Sequence, residues 1–106
     1  MAPIRVAFYG CGNFAQKTRI PNVLKAGAQV VGLSDVNAGS LKAAAELCPG
    51  ARIFEDAHQM LEDEKIDALY SIVPAFVRTD IEIIAARKGI HVFSEKPQVM
   101  EMSLGR

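Results

Sequence analysis

The stretch that most limits the fold is a short apolar run followed at once by closely spaced small residues. Residues 4–9 read Ile-Arg-Val-Ala-Phe-Tyr, which is apolar enough for a buried strand. Gly10, Gly12 and Ala15 follow in the spacing G-x-G-x-x-A, where a helix is expected to begin. The first glycine permits a tight turn, the second lets the backbone approach a ligand, and the small third residue lets the helix pack on the strand. Because helix N-termini attract anions, the pattern predicts a phosphate-binding turn of the dinucleotide type, with an ordinary tight turn as the alternative.

A carboxylate stands at the end of the second apolar run. Residues 29–34 predict a buried strand, and Asp35 follows it, 20 residues after Ala15. A carboxylate at this distance accepts hydrogen bonds from the adenosine ribose of NAD and repels the 2′-phosphate of NADP. The alternative role for Asp35 is to cap the next helix, but Asn37 offers a second cap and would leave Asp35 free. Since Val36 rather than an arginine comes next, the sequence favours NAD over NADP.

Strand and helix patterns alternate along the chain. Strands are predicted over residues 4–9, 29–34, 52–54, 68–73 and 90–93. The first helix is expected to break at Pro21 into residues 13–19 and 21–27, because proline has no N–H for a helix interior. Right-handed crossovers then give an α/β fold, a doubly wound parallel sheet (Rossmann) with strand order 3-2-1-4-5. Ligands of such sheets bind outside the carboxyl ends of the strands.

Short-range signals also mark the later helices. Asp56 with Gln59, and Thr79 with Glu82, have the spacing of capping boxes. His58 falls on the polar side of its helix and has no partner at metal-ligand spacing. We therefore interpret it as a surface residue, and no metal site is expected.

Composition fits one globular domain. The chain has 106 residues, of which 50% are hydrophobic and 23% charged, and this suits a single core rather than disorder. The net charge is zero, so no general attraction to nucleic acid or to a membrane surface is expected. Residues 1–53 hold six Lys/Arg and two Asp/Glu, whereas residues 54–106 hold six and ten. The basic half contains the predicted phosphate turn, although a chance partition explains the asymmetry equally well.

The cysteines and the absence of long apolar runs indicate a compartment. Cys11 and Cys48 are the only cysteines, and two isolated thiols do not make a disulfide framework. We interpret Cys11, inside the glycine turn, as a small residue that tolerates crowding rather than a reactive thiol. The sequence has no run close to the roughly 20 apolar residues of a membrane span and no signal-peptide pattern. A reducing cytoplasm is the expected location.

A longer motif lies near the end of the chain. The run Gly-Ile-His-Val-Phe-Ser-Glu-Lys-Pro begins at Gly89 and ends at Pro97. The chain thereby resembles the N-terminal nucleotide-binding domain of the Gfo/Idh/MocA (glucose–fructose oxidoreductase and inositol dehydrogenase) family. The other matching features are the glycine turn, Pro21, Ser34-Asp35, Ile66-Asp67-Ala68 and Pro74. The resemblance runs from residue 4 to residue 97, so residues 1–97 are expected to form the NAD(P)-binding domain and residues 98–106 a tail.

The resemblance implies an oxidoreductase site. In that family the lysine of Glu-Lys-Pro lies by the nicotinamide and the substrate hydroxyl, which makes Lys96 the expected catalytic residue. A solvated surface lysine is the alternative. Glu95 and Pro97 would contact and shape the nicotinamide side. The expected cofactor contacts are Gly10, Gly12, Asn13, Phe14, Asp35, Pro74, Glu95, Lys96 and Pro97. The implied reaction moves a hydride between NAD and a secondary alcohol of a sugar, polyol or similar small molecule.

Departures from the family pattern limit what carries over. Ala75 and Arg78 stand where the family commonly has Asn and His. Family members also continue into a large α/β domain that supplies the substrate pocket. The 106-residue chain alone is therefore expected to bind NAD without appreciable turnover. A stand-alone nucleotide-binding module without catalysis is the alternative function. The strand over residues 90–93 is expected to leave an open sheet edge, which predicts a homo-oligomer.

Overall fold

A parallel sheet forms the centre of the protein. The computed structural model describes residues 3–12, 15–72 and 80–94, and within them five strands pair in the order β3-β2-β1-β4-β5. The strands are β1 (Arg5–Tyr9), β2 (Gln29–Ser34), β3 (Arg52–Phe54), β4 (Ala68–Ser71) and β5 (His91–Ser94). This order confirms the predicted doubly wound sheet, in which the strand order reverses between β1 and β4.

Helices cover both faces of the sheet. They are α1 (Ile20–Lys25), α2 (Ala38–Leu47), α3 (Ala57–Asp63) and α4 (Ile81–Arg87). Val6 and Phe8 of β1 pack in one core with residues of α1 and α2, whereas Ala7 packs in the other with residues of α3 and α4. Successive strand residues point to opposite faces, so β1 serves both cores and is apolar throughout its middle.

The first helix departs from the prediction. Ala15–Arg19 forms a π-helical segment that runs directly into α1, so the helix changes type after Arg19, where the sequence predicts the first of two helices to end. Pro21 lies in the first turn of α1, where its missing N–H costs little. A change of helix type thus takes the place of a break. α1 ends at Lys25, and Gly27 follows with a φ of 92°, a left-handed conformation that favours glycine.

Other boundaries differ from the predictions by one or two residues. β4 ends at Ser71, whereas the sequence predicts a strand to residue 73, and β5 lies one residue later than predicted. Asp80 occupies the N-cap position of α4 without a side-chain cap bond. The Thr79 half of the predicted capping box lies outside the described residues, as does everything from residue 73 to residue 79.

Only half of the capping box predicted for α3 is correct. Asp56 Oδ1 accepts a hydrogen bond from the backbone N–H of His58 at 2.9 Å, so Asp56 is the N-cap. Gln59 does not reach back to close the box. Its side-chain amide donates to the Asp63 carboxylate at 3.0 Å, one helical turn further along.

Charged contacts hold the amino edge of the sheet. The backbone N–H of Arg5 donates to Asp67 Oδ2 at 2.9 Å, which ties the start of β1 to the residue before β4. The Glu64 carboxylate lies between the guanidinium groups of Arg5, at 3.4 Å, and Arg52, at 2.8 Å. Structural contacts therefore occupy this edge, opposite the carboxyl ends where the sequence predicts a ligand.

Ser71, the last residue of β4, is a buried hydroxyl whose removal should stabilise the fold. It is 0% exposed, and its Oγ has no hydrogen-bond partner among the described residues. A buried polar group without a partner costs about 1–3 kcal/mol, so Ser71→Ala should raise the free energy of unfolding by about 1 kcal/mol. Urea denaturation followed by circular dichroism measures this change. Ser94→Ala, at the exposed position paired with Ser71 on β5, is the control. Lower stability of Ser71→Ala would contradict the prediction.

Candidate functional site

The turn after β1 crosses toward the carboxyl end of β2. Gly10 has a φ of 107°, a backbone conformation that residues with a side chain rarely adopt. Its N–H donates to the carbonyl oxygen of Ser34 at 2.8 Å. The first glycine of the motif is therefore required by the backbone conformation. The turn brings the residues after it beside the end of β2.

Gly12 leaves open space on the outer side of the turn. A Cβ built on Gly12 would meet no atom of the described residues within 4 Å. The carbonyl oxygen of Gly12 accepts from the N–H of Gln16 at 3.0 Å, which ties the turn to the helical segment Ala15–Arg19. Open space beside a residue without a side chain is what the close approach of a phosphate group needs.

Cys11, between the two glycines, is a buried structural residue. Its side chain is 0% exposed, and its Sγ lies 3.6 Å from the carbonyl oxygen of Ser34. Burial, and after it the charge of Asp35, raise the pKa of the Cys11 thiol to about 12. The thiol is therefore protonated near neutral pH, which agrees with its interpretation as a small residue rather than a nucleophile. The Gln16 side-chain amide donates to the Cys11 carbonyl oxygen at 2.7 Å and fixes the turn from the other side.

Asp35 is not the free carboxylate that the sequence predicts. Asn37 does cap α2, because its Oδ1 accepts from the N–H of Ser40 at 2.8 Å. The Asp35 carboxylate nevertheless has two partners of its own. Its Oδ2 accepts from the N–H of Cys11 at 2.7 Å, and its Oδ1 from the N–H of Asn37 at 2.8 Å. Asp35 therefore braces the glycine turn, and each oxygen keeps one further acceptor site for a ribose hydroxyl.

Two recesses flank the corner formed by Asp35 and Val36. The smaller has a volume of about 210 Å³ and lies toward α3 and α4. Its lining includes Tyr9, Ser34, Val36, Ala57, His58 and Ile81. The larger is an open groove of about 740 Å³ between α2 and β3. Val36 borders both and is 93% exposed, so an apolar surface is available on either side of a ribose bound at Asp35.

His58 has partners that its sequence position does not reveal. It is half-exposed, as a surface residue should be. Its Nδ1 lies 3.1 Å from Asp56 Oδ1, and its Nε2 lies 2.9 Å from Asp80 Oδ1. Hydrogen bonding to Asp56 first, and then to Asp80, raises the pKa of the imidazole above its ordinary value. The interpretation as a surface residue agrees with this exposure, whereas the contact with Asp80, 22 residues away, is one that only the tertiary fold supplies.

The structure brings part of the predicted site together. Gly10, Gly12 and Asp35 meet at the carboxyl edge of β1 and β2. The remaining predicted site residues lie outside the described residues: Asn13, Phe14, Pro74, Glu95, Lys96 and Pro97. Their roles stay predictions. In the part of the chain that the structure describes, no group of three or more His, Cys, Asp or Glu could hold a metal ion, and no helix is long and apolar enough to cross a membrane.

The glycine turn, the acceptor carboxylate and the adjoining recesses together fit a dinucleotide. The open side of Gly12 leaves room for a phosphate, and Asp35 keeps acceptor sites for ribose hydroxyls. The recesses beside Val36 offer an apolar surface to a base. The Cys11 and Asn37 partners of the Asp35 carboxylate are both backbone N–H groups, so a 2′-phosphate there would meet the negative charge of the carboxylate.

Comparisons with known proteins identify relatives of the whole described fold. The model of a family described as "Oxidoreductase family, NAD-binding Rossmann fold" (Gfo/Idh/MocA) matches residues 4–104. An inositol 2-dehydrogenase of Paracoccus denitrificans is 34% identical over 100 residues, which are 89% of this chain and 29% of that protein. The chain thus spans about three tenths of the length of such relatives.

Solved structures give the same relationship. The WlbA dehydrogenase from Bordetella pertussis, in complex with NADH and UDP-GlcNAcA, superposes with a TM-score of 0.80 at 35% identity. The match covers 91% of this chain and 29% of that one. A 3-ketoreductase from Actinomadura kijaniata, in complex with NADP and TDP-benzene, gives a TM-score of 0.76 at 31% identity, with 91% and 30% of the two chains covered. Both nicotinamide cofactors therefore occur among proteins of this fold.

Proposed function

Because the chain belongs to the Gfo/Idh/MocA oxidoreductase family, with its NAD-binding Rossmann fold, we propose that it forms the cofactor-binding part of an NAD-dependent dehydrogenase. The parent enzyme would act on a secondary alcohol of a sugar, polyol or similar small molecule. The observation that carries the proposal is the Asp35 carboxylate bonded to the glycine turn at Cys11. This contact supports the proposal, because a carboxylate beside a glycine turn suits the ribose and the phosphates of a dinucleotide.

The choice of NAD over NADP follows from charge. A 2′-phosphate on the adenosine ribose would lie against the Asp35 carboxylate, and the next residue, Val36, offers no compensating cation. NADP binding in this fold requires such compensation. NAD is therefore the favoured cofactor and NADP the poorer ligand.

The adenosine end of the cofactor is proposed to occupy the smaller recess. That recess opens at the carboxyl ends of β1 and β2, which is where ligands of doubly wound sheets bind. Its lining combines Val36, an exposed apolar residue, with Ile81 and His58. A flat heterocycle suits such a surface, because one face can be apolar while the edge stays near polar groups.

The reacting end is assigned through the Glu-Lys-Pro motif. Bound NAD supplies the hydride acceptor. Lys96 is proposed to lie at the substrate hydroxyl, where its neutral amine would accept the hydroxyl proton and the ammonium group so formed would bind the oxygen of the product. Glu95 and Pro97 would contact the nicotinamide side and orient the lysine. Asn13, Phe14 and Pro74 would complete the cofactor contacts. The resemblance of the motif supports these roles, and the substrate pocket belongs to the parent enzyme.

Self-association through β5 is proposed as well. β5 pairs with β4 along one edge, and no strand of the described residues pairs with its other edge. Phe8, Tyr70 and Phe93 stack across β1, β4 and β5 with ring centroids 5.2 and 5.0 Å apart, and Phe93 is 48% exposed. An open edge beside an exposed ring favours pairing with another chain.

The two free thiols support a reducing cytoplasm, and the zero net charge argues against nucleic acid as a partner.

Titration of the 106-residue chain with NAD and with NADP tests the proposed function. Isothermal calorimetry should give saturable binding of NAD, and NADP should bind at least about tenfold more weakly because of the carboxylate. Adenosine diphosphate ribose should retain most of the affinity, since the residues proposed to bind that half of the cofactor include Gly10, Gly12 and Asp35. Tighter binding of NADP, or no binding of either dinucleotide by a folded chain, would contradict the proposal.

A further inference from the structure

His58 links the starts of two helices across the smaller recess. Asp56 is the N-cap of α3 and Asp80 is the N-cap of α4. The Nδ1 atom of His58 contacts Asp56, and the Nε2 atom contacts Asp80. Ile81, which follows Asp80 directly, lines the recess together with His58. The imidazole ring therefore bridges the α3 wall and the α4 wall of this recess, outside the apolar core that the two helices share.

Both contacts of His58 can be hydrogen bonds only when the ring is protonated. Each ring nitrogen faces a carboxylate oxygen, and an ionised carboxylate only accepts. The imidazolium has two N–H donors, whereas the neutral ring has one. When the ring loses one N–H proton, the lone pair of that nitrogen faces a lone pair of the carboxylate oxygen, and one of the two hydrogen bonds is lost. The bridge between α3 and α4 is complete only in the charged form.

The charges around His58 favour the proton. Glu55 and Tyr9 line the same recess from the end of β3 and from β1, and no lysine or arginine of the described residues is in its lining. On α3 itself, Glu62 lies one helical turn beyond His58, on the same side of the helix. The carboxylates of Glu55 and Glu62, together with those of Asp56 and Asp80, make the surroundings of the ring acidic.

We propose that His58 is a positioning residue for the adenosine end of the cofactor, holding the α3 and α4 walls of the recess together while it is protonated and releasing them when it is not. The inference rests on the proposed function, since it takes the recess to be the adenosine site. It gives nucleotide binding a pH dependence that comes from the His58 ring. NAD has no group of its own that titrates near neutral pH.

The direction of the pH dependence follows from the pKa of His58. Hydrogen bonding to Asp56 and Asp80 raises this pKa above its ordinary value of 6.5, so the bridge is complete below that pH and is lost as the pH rises through the raised value. The pKa of Asp56 is lowered by its hydrogen bonds from His58, so its carboxylate stays ionised throughout this range. Binding should therefore be tightest in mildly acidic solution and weaken toward alkaline pH.

Titration of NADH by fluorescence, from about pH 5.5 to about pH 9, tests the inference. The dissociation constant of the wild-type chain should rise about threefold across this range, as expected for the loss of one exposed charged contact. His58→Gln should bind at the weaker level at every pH, because glutamine does not titrate. His91→Gln is the matched control. It changes the chain's other histidine, which is exposed at the amino end of β5, and should keep the wild-type profile.

The histidine resonances provide a second readout that a purely structural role would not move. In nuclear magnetic resonance titrations, Asp80→Asn should lower the pKa of His58 and shift the binding profile to lower pH by the same amount. A pH profile that persists in His58→Gln, or a wild-type chain that binds NADH equally at every pH, overturns this inference and leaves the proposed function intact. A folded chain that binds no NADH at any pH overturns the proposed function, and the inference with it.

Discussion

Gly12→Val should weaken NAD binding by about 100-fold while leaving the protein folded, an effect equivalent to about 3 kcal/mol. The reason is the open space at this position. A Cβ on Gly12 meets no atom of the described residues within 4 Å, so a side chain here begins in open space and we expect the fold to accept it. That room is where the cofactor phosphate would approach the backbone, so the same side chain excludes the ligand and its charged hydrogen bonds. Calorimetric titration with NAD and thermal denaturation, run on the same sample, measure the two effects separately.

Two further glycine variants make the Gly12 result specific. Gly50→Val also places a side chain in open space, but at the amino end of β3, away from the glycine turn. It should change neither NAD binding nor stability by more than about 0.5 kcal/mol. Gly10→Ala should instead lower stability, because Gly10 has a φ of 107°. Undiminished NAD affinity in Gly12→Val would mean that the phosphates do not approach this turn.

The fold could be predicted because its signals are local and repeated. The apolar middle of β1 is covered on both faces, so its sequence has the continuous pattern of a buried parallel strand. The Asn37 cap of α2 depends on a contact three residues along the chain, which spacing alone encodes. The exact form of the first helix could not be predicted. Pro21 signals an irregularity but does not say whether the chain breaks or winds into the π-helical segment Ala15–Arg19.

The candidate site could be predicted as a set of residue types but not as a set of contacts. Spacing places an acceptor at Asp35, yet the bond from Cys11 N–H to its carboxylate exists only because β2 pairs beside β1. His58 shows the same limit more strongly, since its bond to Asp80 joins α3 to the start of α4. No repeat or spacing in the sequence encodes how close these two helix starts come. Contacts between segments distant in the chain therefore assign a role to His58 that its local pattern does not.

Replacement of Asp35 should have the second large effect, and it should act on both the cofactor and the turn. Asp35→Ala should weaken NAD binding by about 1–3 kcal/mol, because the ribose hydroxyls lose a charged acceptor. It should also lower the free energy of unfolding by about 1–2 kcal/mol, because the N–H of the buried Cys11 loses its 2.7 Å partner. Calorimetry with NAD and urea denaturation measure these two losses.

The ratio of NAD affinity to NADP affinity shows whether Asp35 contacts the ribose or only stabilises the glycine turn. A loosened glycine turn weakens both cofactors equally, whereas loss of the carboxylate removes the repulsion that acts on the 2′-phosphate alone. Asp35→Ala should therefore lower the preference for NAD by about tenfold in addition to weakening its binding. Asp67→Ala is the matched control, because Asp67 Oδ2 accepts a backbone N–H from Arg5 in the same way at the opposite edge of the sheet. Asp67→Ala should lower the free energy of unfolding and leave the ratio of NAD affinity to NADP affinity unchanged. Equal weakening of NAD and NADP in Asp35→Ala would show that this carboxylate only braces the turn and does not contact the ribose.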